Sequence, residues 1–227
     1  MLTLYYTRTS FYSRFIWLAL LEKQLEFKLV PMQLNGDQFE AEFIEISPFS
    51  RIPVLRDKEL SIIESSAILD YLETKYPSPA LLPKDAETLA KIRMVQTVTN
   101  NELLPGFLGL LIHSQNLLDY EYAEKRLTNV LAFFEKLLAN NTYFAGKQLT
   151  LAEIVAGNLI PYFPKFDISL NKYPKLRRWS ENLLARISWQ EIDLNDPEIT
   201  NFKRRMKVMP KIIQKRRRSR IKIGQNI

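Results

Sequence analysis

The hydrophobic pattern changes its period once along the chain, and this change sets the fold class. Up to about residue 76, short apolar runs of the strand type alternate with helical patterns, in the order βαβαββα. A stretch with three prolines in seven residues follows, from Pro77 to Pro83. Beyond this stretch every long pattern is helical. The sequence therefore predicts an α/β domain joined to an all-helical domain.

The expected elements and boundaries follow from the same patterns. The predicted strands are 2–6, 26–32, 53–55 and 61–63, and the helices of the first half are 13–23, 37–45 and 65–76. The predicted helices of the second half are 86–116, 120–140, 150–163 and 175–187. The strand and helix order of the first half is that of a thioredoxin-like domain. We predict this domain over residues 1–77, a linker over 78–85, a helical-bundle domain over 86–197 and a tail over 198–227.

Two residue counts exclude whole classes of chemistry. The chain has no cysteine, so disulfides, cysteine-bound zinc, iron–sulfur clusters and cysteine nucleophiles are excluded. Its one histidine, His113, argues against a metal site or a histidine-based triad, and we assign it no role. The start of the chain lacks the basic residues of a secretory signal, and no apolar run approaches the roughly 20 residues that span a bilayer. We expect a cytoplasmic protein without a metal cofactor.

The net charge of +7 is concentrated at one end of the chain. Residues 198–227 hold eleven Lys or Arg and one acidic residue, whereas residues 1–197 hold 21 basic and 24 acidic residues. The body is therefore mildly acidic, which argues against a globular nucleic-acid-binding domain. The basic tail could contact nucleic acid or an anionic membrane, but most charged termini are simply solvated, and we do not expect either partner.

Hydroxyl side chains cluster where the first strand meets the first helix, in Thr9-Ser10-Phe11-Tyr12-Ser13-Arg14. A helix N-terminus favours negative charge, so a thiol placed there ionises more easily. A serine hydroxyl could hydrogen-bond to such a thiolate without reacting itself. The alternative is that Ser10 or Ser13 only caps the helix.

This segment, with Leu4-Tyr5-Tyr6 before it and Leu18-Ala19-Leu20-Leu21-Glu22-Lys23 after it, resembles the opening of serine-type glutathione transferases. The resemblance implies a catalytic role for Ser10, in the position of the serine that activates the thiol of glutathione. Thr9 and Ser13 are close enough to compete for that role, and Ser13 is also a candidate to bind glutathione. Phe11 stands where the family usually has proline.

Ser47-Pro48-Phe49-Ser50-Arg51-Ile52-Pro53-Val54-Leu55 is similar to the family's Asn-Pro-x-Gly-x-Val-Pro-x-Leu segment. The resemblance implies that Pro53 is cis, that the backbone of Ile52 pairs with the cysteinyl backbone of glutathione, and that Arg51 reaches its glycine carboxylate. Ser47 and Ser50 replace the usual Asn and Gly. An ordinary proline at the start of an edge strand is the alternative.

Glu64-Ser65-Ser66-Ala67-Ile68-Leu69-Asp70-Tyr71-Leu72 resembles the start of the family's third helix. Glu64 can pair with the ammonium of the γ-glutamyl group, and Ser65 with the free amides of the helix start can receive its carboxylate. A simple capping serine preceded by an acid is the alternative.

The helical half supplies a folding motif and the second-substrate pocket. Thr150 and Glu153 form a predicted capping box. We expect the pocket for the second substrate between the domains, near the first long helix. Its candidate liners are Phe11, Tyr12, Asn100 and Phe107, although Phe107 could equally pack in the core. Phe49 resembles the aromatic residue that some family classes insert into a partner subunit, which implies a homodimer.

The function that the resemblance implies is conjugation of glutathione, as co-substrate, to small apolar electrophiles, together with peroxide reduction. The alternative is a non-catalytic relative that serves as a protein-interaction module, with the basic tail contacting nucleic acid or membrane.

Overall fold

A four-stranded mixed sheet forms the first half of the molecule. The computed structural model describes residues 1–113 and 116–209. The strands are β1 (Leu2–Tyr6), β2 (Phe27–Pro31), β3 (Val54–Asp57) and β4 (Leu60–Ile63). They lie in the order β2-β1-β3-β4, with β1 and β2 parallel and the other two pairs antiparallel. The predicted thioredoxin-like domain is confirmed.

Three helices accompany this sheet: α1 (Phe11–Glu22), α2 (Ala41–Ile46) and α3 (Ser65–Lys75). Residues 15–20 of α1 are all buried, so this helix is covered on every side. A helix that is apolar all round is one that other elements surround. Here α1 contacts α3 on one side and α7 and α9 of the helical half on the other. The start of α1 is therefore held where the two halves meet.

The helical half comprises α4 (Ala86–Val98), α5 (Leu104–Ile112), α6 (Leu117–Leu138), α7 (Leu151–Ala156), α8 (Pro174–Leu184) and α9 (Ile187–Glu191). A π-helical segment, Thr99–Leu103, joins α4 to α5, and a 3-10 helix, Ile160–Phe166, follows α7. The prediction that the second half of the chain is all-helical is therefore confirmed. Among the described residues, no helix is long and apolar enough to cross a membrane.

Two of the predicted helices are interrupted in the structure, the first beside the Pro105-Gly106 pair, where the sequence predicts an interruption, and a proline lies close to each interruption. Pro105 has no N–H to donate to the carbonyl of Asn101, which accepts from the guanidinium of Arg126 instead. The predicted helix 86–116 is consequently interrupted by the π-helical segment. Likewise, the predicted helix 150–163 ends at Ala156, and Pro161 stands at the start of the separate 3-10 helix.

The predicted boundary of the basic tail is wrong by about twelve residues. Residues 196–209 are helical, and the side chains of Ile199 and Phe202 are buried in the core. The Phe202 ring lies 5.6 Å from that of Phe11 and 5.9 Å from that of Phe166, edge-on to both. The first 12 of the 30 residues of the predicted tail are thus part of the domain. The rest of it, residues 210–227, lies outside the described residues.

Candidate functional site

A cavity of about 330 Å³ lies between the start of α1, the segment before β3, the start of α3 and the π-helical segment. It brings together residues that the sequence analysis chose from four separate segments. The predicted site residues that line it are Tyr12, Arg51, Ile52, Pro53, Glu64, Ser65 and Asn100. Ser47, Phe49, Ile63, Ser66 and Asn101 complete the lining.

The turn before β3 forms despite its two unusual serines. The hydroxyl of Ser47 donates to the carbonyl of Arg51 at 2.8 Å and accepts from the Arg51 N–H at 3.1 Å. Ser50 takes the left-handed conformation, with φ of +53°, where the family pattern has glycine. The Ile52–Pro53 bond is cis, which confirms that prediction. The buried Ser47 therefore forms the hydrogen bonds within this turn, at the position where the family pattern has asparagine.

The backbone of Ile52 is free to bind an extended peptide. The pairing between β1 and β3 ends at Val54, and the N–H and C=O of Ile52 hydrogen-bond to no residue that the structure describes. Because Ile52 lines the cavity, these two groups can pair with the backbone of a bound peptide.

The start of α3 presents backbone amides and a carboxylate to the same cavity. Glu64 stands in the cap position with φ of +66°, and its side chain makes no capping hydrogen bond. Ser65 is the first helical residue, so the simple capping-serine interpretation is wrong. The uncapped amides at the helix start favour an anion, and the Glu64 carboxylate beside them favours a cation. An amino acid with a free ammonium and a free carboxylate matches both.

Ser10 is the cap of α1, and its hydroxyl keeps a proton to donate. Its Oγ accepts a hydrogen bond from the Ser13 N–H at 3.3 Å, which confirms the capping interpretation. A hydroxyl that accepts one hydrogen bond can still donate one, so capping leaves the donor of Ser10 available. Ser10 is half-buried and does not belong to the lining of the cavity. It lies two residues before Tyr12, which does line it.

The structure places three predicted site residues in the core instead of the cavity. Ser13 is fully buried, and its Oγ accepts from the Thr7 N–H at 3.5 Å. Phe11 and Phe107 are also buried, with their rings 5.5 Å apart and perpendicular. The reason is that other elements pack around α1 and bury Phe11, Ser13 and Arg14, so that only Tyr12 of its first turn is exposed. Ser13 is therefore excluded as a ligand of glutathione or rival to Ser10, and Phe11 and Phe107 as pocket liners.

Tyr12 and Asn100 remain as polar groups at the cavity. Burial raises the pKa of the Tyr12 hydroxyl, and the nearby Glu64 carboxylate raises it further. Tyr12 therefore stays a hydrogen-bond donor. The Oδ1 of Asn100 is buried without a hydrogen-bond partner among the described residues, so this acceptor is free for a bound molecule.

His113 lies outside the cavity at the end of α5, with its Nδ1 3.5 Å from a carboxylate oxygen of Asp119. Within residues 1–113 and 116–209 there is no group of three His, Asp or Glu that could hold a metal ion. Five residues of the cavity were not predicted to line it: Ser47, Phe49, Ile63, Ser66 and Asn101. Ser66 follows Ser65 directly, whereas Asn101 reaches the cavity through a π-helical turn that no sequence pattern signalled.

Comparison with known proteins agrees with this geometry. The model of the glutathione S-transferase N-terminal domain matches residues 4–80, and that of the C-terminal domain matches residues 98–186. The chain belongs to the glutathione S-transferase family. It is accordingly an enzyme, and glutathione is its co-substrate.

The similarity extends over most of the relatives' length. Glutathione S-transferase F10 of Arabidopsis thaliana is 30% identical over 77% of this chain and 88% of its own length. Maleylacetoacetate isomerase of Mus musculus is 28% identical over 74% of this chain and 81% of its own. The solved structure of a delta-class glutathione transferase of Nilaparvata lugens superposes with a TM-score of 0.78 at 25% identity, over 92% of this chain and all of that one.

Proposed function

We propose that glutathione lies extended in the 330 Å³ cavity and that the enzyme transfers its thiolate to small apolar electrophiles. The observation that carries this proposal is the joint lining of one cavity by the free backbone of Ile52 and the uncapped start of α3. Ile52 pairs with the cysteinyl backbone. The amides of Ser65 and Ser66 receive the γ-glutamyl carboxylate, and Glu64 receives its ammonium.

Two further groups complete the binding of glutathione. Arg51 is exposed at the rim of the cavity and receives the glycine carboxylate. The free Oδ1 of Asn100 accepts a hydrogen bond from the γ-glutamyl ammonium, together with Glu64. Asn100 thus contributes to the glutathione site, although its sequence position indicated the pocket of the second substrate.

Ser10 acts on the sulfur. Its O–H donates a hydrogen bond to the thiolate, and the N-terminus of α1 adds its dipole. The thiolate then forms a carbon–sulfur bond with the electrophile, which either loses its leaving group or takes up a proton at the neighbouring carbon. The same thiolate supports reduction of organic peroxides, with a second glutathione as the final reductant. The intact cavity supports these reactions over a non-catalytic interaction module.

Replacement of Ser10 tests the catalytic assignment. In Ser10→Ala we expect the pKa of bound glutathione to rise by one or two units, so that conjugation near neutral pH falls roughly ten- to hundredfold. The pH–rate profile of conjugation with 1-chloro-2,4-dinitrobenzene measures both quantities. Loss of the cap costs about 1 kcal/mol of stability, which thermal unfolding checks.

The matched control is Ser13→Ala, which removes a buried hydroxyl in the first turn of the same helix. We expect it to leave the pH–rate profile unchanged. If Ser10→Ala keeps the profile of the parent, the catalytic assignment is wrong, and retention on immobilised glutathione then shows whether the binding proposal survives. A Thr9→Ala variant would be the next candidate in that case.

We also propose that the protein is a homodimer in which Phe49 inserts into the partner. The Phe49 side chain is 66% exposed at the edge of the glutathione cavity. A large exposed aromatic ring at such a position is typical of an interface anchor. Sedimentation of Phe49→Ser should show a dimer at least about tenfold weaker. Phe39→Ser, at another exposed phenylalanine, should sediment as the parent does. Unchanged association of Phe49→Ser would refute the anchor.

A further inference from the structure

A polar cavity of about 260 Å³ lies on the helical half of the molecule, between the loop that follows α6 and one face of α8. We call it the α6–α8 cavity. It shares no residue with the glutathione cavity, and the proposed transfer reaction gives it no role. Both of its walls carry polar side chains, and the only large apolar group in its lining is the indole of Trp179, which lies in the protein core.

The α8 wall presents two cations and an amide. Lys175, Arg178 and Asn182 are three and four residues apart, so their side chains lie on one face of the helix. All three are exposed. Neither cation forms an ion pair with a carboxylate among the described residues, since Glu181 of the same helix lies 3.9 Å from Arg177 instead. Two uncompensated positive charges therefore face the cavity.

No acidic residue of the described chain belongs to the lining of this cavity. Glu135 of α6 approaches the start of α8, but its two carboxylate oxygens accept from the N–H groups of Lys175 and Leu176, at 3.0 and 2.9 Å. These hydrogen bonds hold the start of α8 against α6. An anion that enters the cavity therefore meets the two cations without a carboxylate of the lining to compete with it.

The loop wall supplies neutral hydrogen-bonding groups. Ala139 follows the end of α6 with φ of +50° and ψ of −123°, a conformation that favours glycine, and the Asn141 N–H closes the turn on the Leu138 carbonyl at 3.1 Å. After this turn, Asn140, Asn141 and Thr142 all line the cavity, and their side chains hydrogen-bond to no residue that the structure describes. Amide and hydroxyl groups both donate and accept, so they suit the hydroxyls of a ligand.

The two walls are joined through the core. Trp179 is only 1% exposed, and its ring lies 5.4 Å from that of the fully buried Phe144, two residues after Thr142. Its indole N–H donates to the Glu153 carboxylate at 3.4 Å. The backbones of the loop and of α8 are thus held in place before a ligand arrives, which lowers the cost of ordering them on binding.

We propose that the α6–α8 cavity binds a small phosphate monoester with a polyhydroxylated body. Lys175 and Arg178 hold the phosphate group, whose charge of nearly −2 at neutral pH matches the two cations, and the arginine binds two of its oxygens. Asn140, Thr142 and Asn182 hydrogen-bond to the hydroxyls of the body. A carboxylate would supply only one of the two charges. The proposal does not depend on the transfer reaction.

Calorimetric titration of the full chain with glucose 6-phosphate tests the site, with the first cavity saturated by S-hexylglutathione. We expect one saturable site per chain, weaker binding of glucuronate, no detectable binding of glucose, and an affinity that falls as NaCl is added. Arg178→Gln, which removes the charge, should weaken binding of glucose 6-phosphate at least about tenfold. Asn182→Leu, which keeps both cations, should weaken it roughly three- to tenfold.

The control for charge is Arg205→Gln, at an exposed arginine that does not line the cavity, which should bind glucose 6-phosphate as the parent does. Thermal unfolding of each variant checks folding, and Lys175→Gln takes the place of Arg178→Gln if the latter fails to fold. Equal weakening by Arg205→Gln and Arg178→Gln would show that binding follows the net charge of the chain, and it would overturn the proposal. Glucose binding as tight as that of its phosphate, or no saturable binding of the phosphate, would also overturn it.

Discussion

Arg14 illustrates how a single residue joins the two halves of the molecule. Its guanidinium is fully buried on α1, and Nε donates to Asn158 Oδ1 at 2.7 Å while a second nitrogen donates to the Ile192 carbonyl at 2.7 Å. The group also lies over the Tyr162 ring, 4.5 Å from its centre. Burial lowers the pKa of Arg14, while Tyr162 and the Asp193 carboxylate act in the opposite direction, and both oxygens that accept its hydrogen bonds are neutral. The planar fork of arginine makes this possible.

Replacement of Arg14 by lysine should therefore be costly even though the charge is kept. A single ammonium cannot reach both acceptors in this geometry, so one buried carbonyl loses its donor. We expect Arg14→Lys to lower the free energy of unfolding by about 2–4 kcal/mol. Urea denaturation measures this loss. Arg178→Lys on the surface of α8 should change it by less than about 0.5 kcal/mol, and an equal loss in both variants would refute the argument.

At the scale of elements, α7 begins with the predicted capping box of Thr150 and Glu153. In the structure, the Glu153 carboxylate also binds the loop that precedes the helix. Glu153 accepts from the Thr150 N–H at 3.0 Å and from the Thr150 hydroxyl at 2.8 Å. Its other oxygen accepts from the Phe144 N–H at 2.8 Å. Glu153 is fully buried, and burial raises the pKa of its carboxyl against the effect of these donors. The box thus also fixes the preceding loop to the helix.

Glu153→Gln should destabilise the protein by about 1–3 kcal/mol, because the side-chain NH2 of glutamine would point at an N–H or O–H donor where the carboxylate accepts a hydrogen bond. Since the folded pKa of Glu153 lies above the unfolded one, its contribution is complete below pH of about 4.5 and declines as pH rises through the raised value. The difference between parent and variant should thus be larger at pH 4 than at pH 8. Urea denaturation at both pH values checks this, with exposed Glu181→Gln as the control. A difference that grows with pH would contradict it.

At the scale of the whole molecule, the two halves share one hydrophobic core. The helical residues 196–209 close this core beside the start of α1, where Phe202 packs against Phe11. Charged contacts reinforce the closure: Arg8, in the loop before Ser10, pairs with Glu198 at 2.7 Å. The helix over residues 196–209 therefore supports the segment that carries Ser10, the proposed catalytic serine.

Phe202→Ala should lower the free energy of unfolding by about 3 kcal/mol, the usual cost of deleting a core phenyl ring. Truncation after residue 209 removes seven of the eleven basic residues of 198–227 but none of this packing, so it should unfold like the parent. Calorimetry of both proteins tests the distinction. A truncated protein as unstable as Phe202→Ala would show that the packing does not depend on residues 196–209 alone.

The sequence by itself determined the features that depend on local chemistry. The periodicity of apolar residues, the hydroxyl cap at Ser10, the proline at position 53 and the capping box of Thr150 are all readable from neighbours in the chain. They were sufficient for the fold class, whereas the residues of the proposed glutathione cavity were chosen through the resemblance of their segments to the glutathione transferase family. Glu64, Arg51 and Ile52 could be chosen because each stands in a recognisable segment.

The tertiary structure decided which side chains face the cavity and which enter the core. Ser13 and Phe11 lie beside Ser10 and Tyr12 in sequence, yet their exposure depends on the helices that enclose α1 from the other half of the chain. The π-helical turn that brings Asn101 to the cavity likewise depends on Arg126, 25 residues away, binding the carbonyl that Pro105 leaves free. The burial of a side chain depends on residues that are distant in the sequence, and for that reason no local pattern could reveal it.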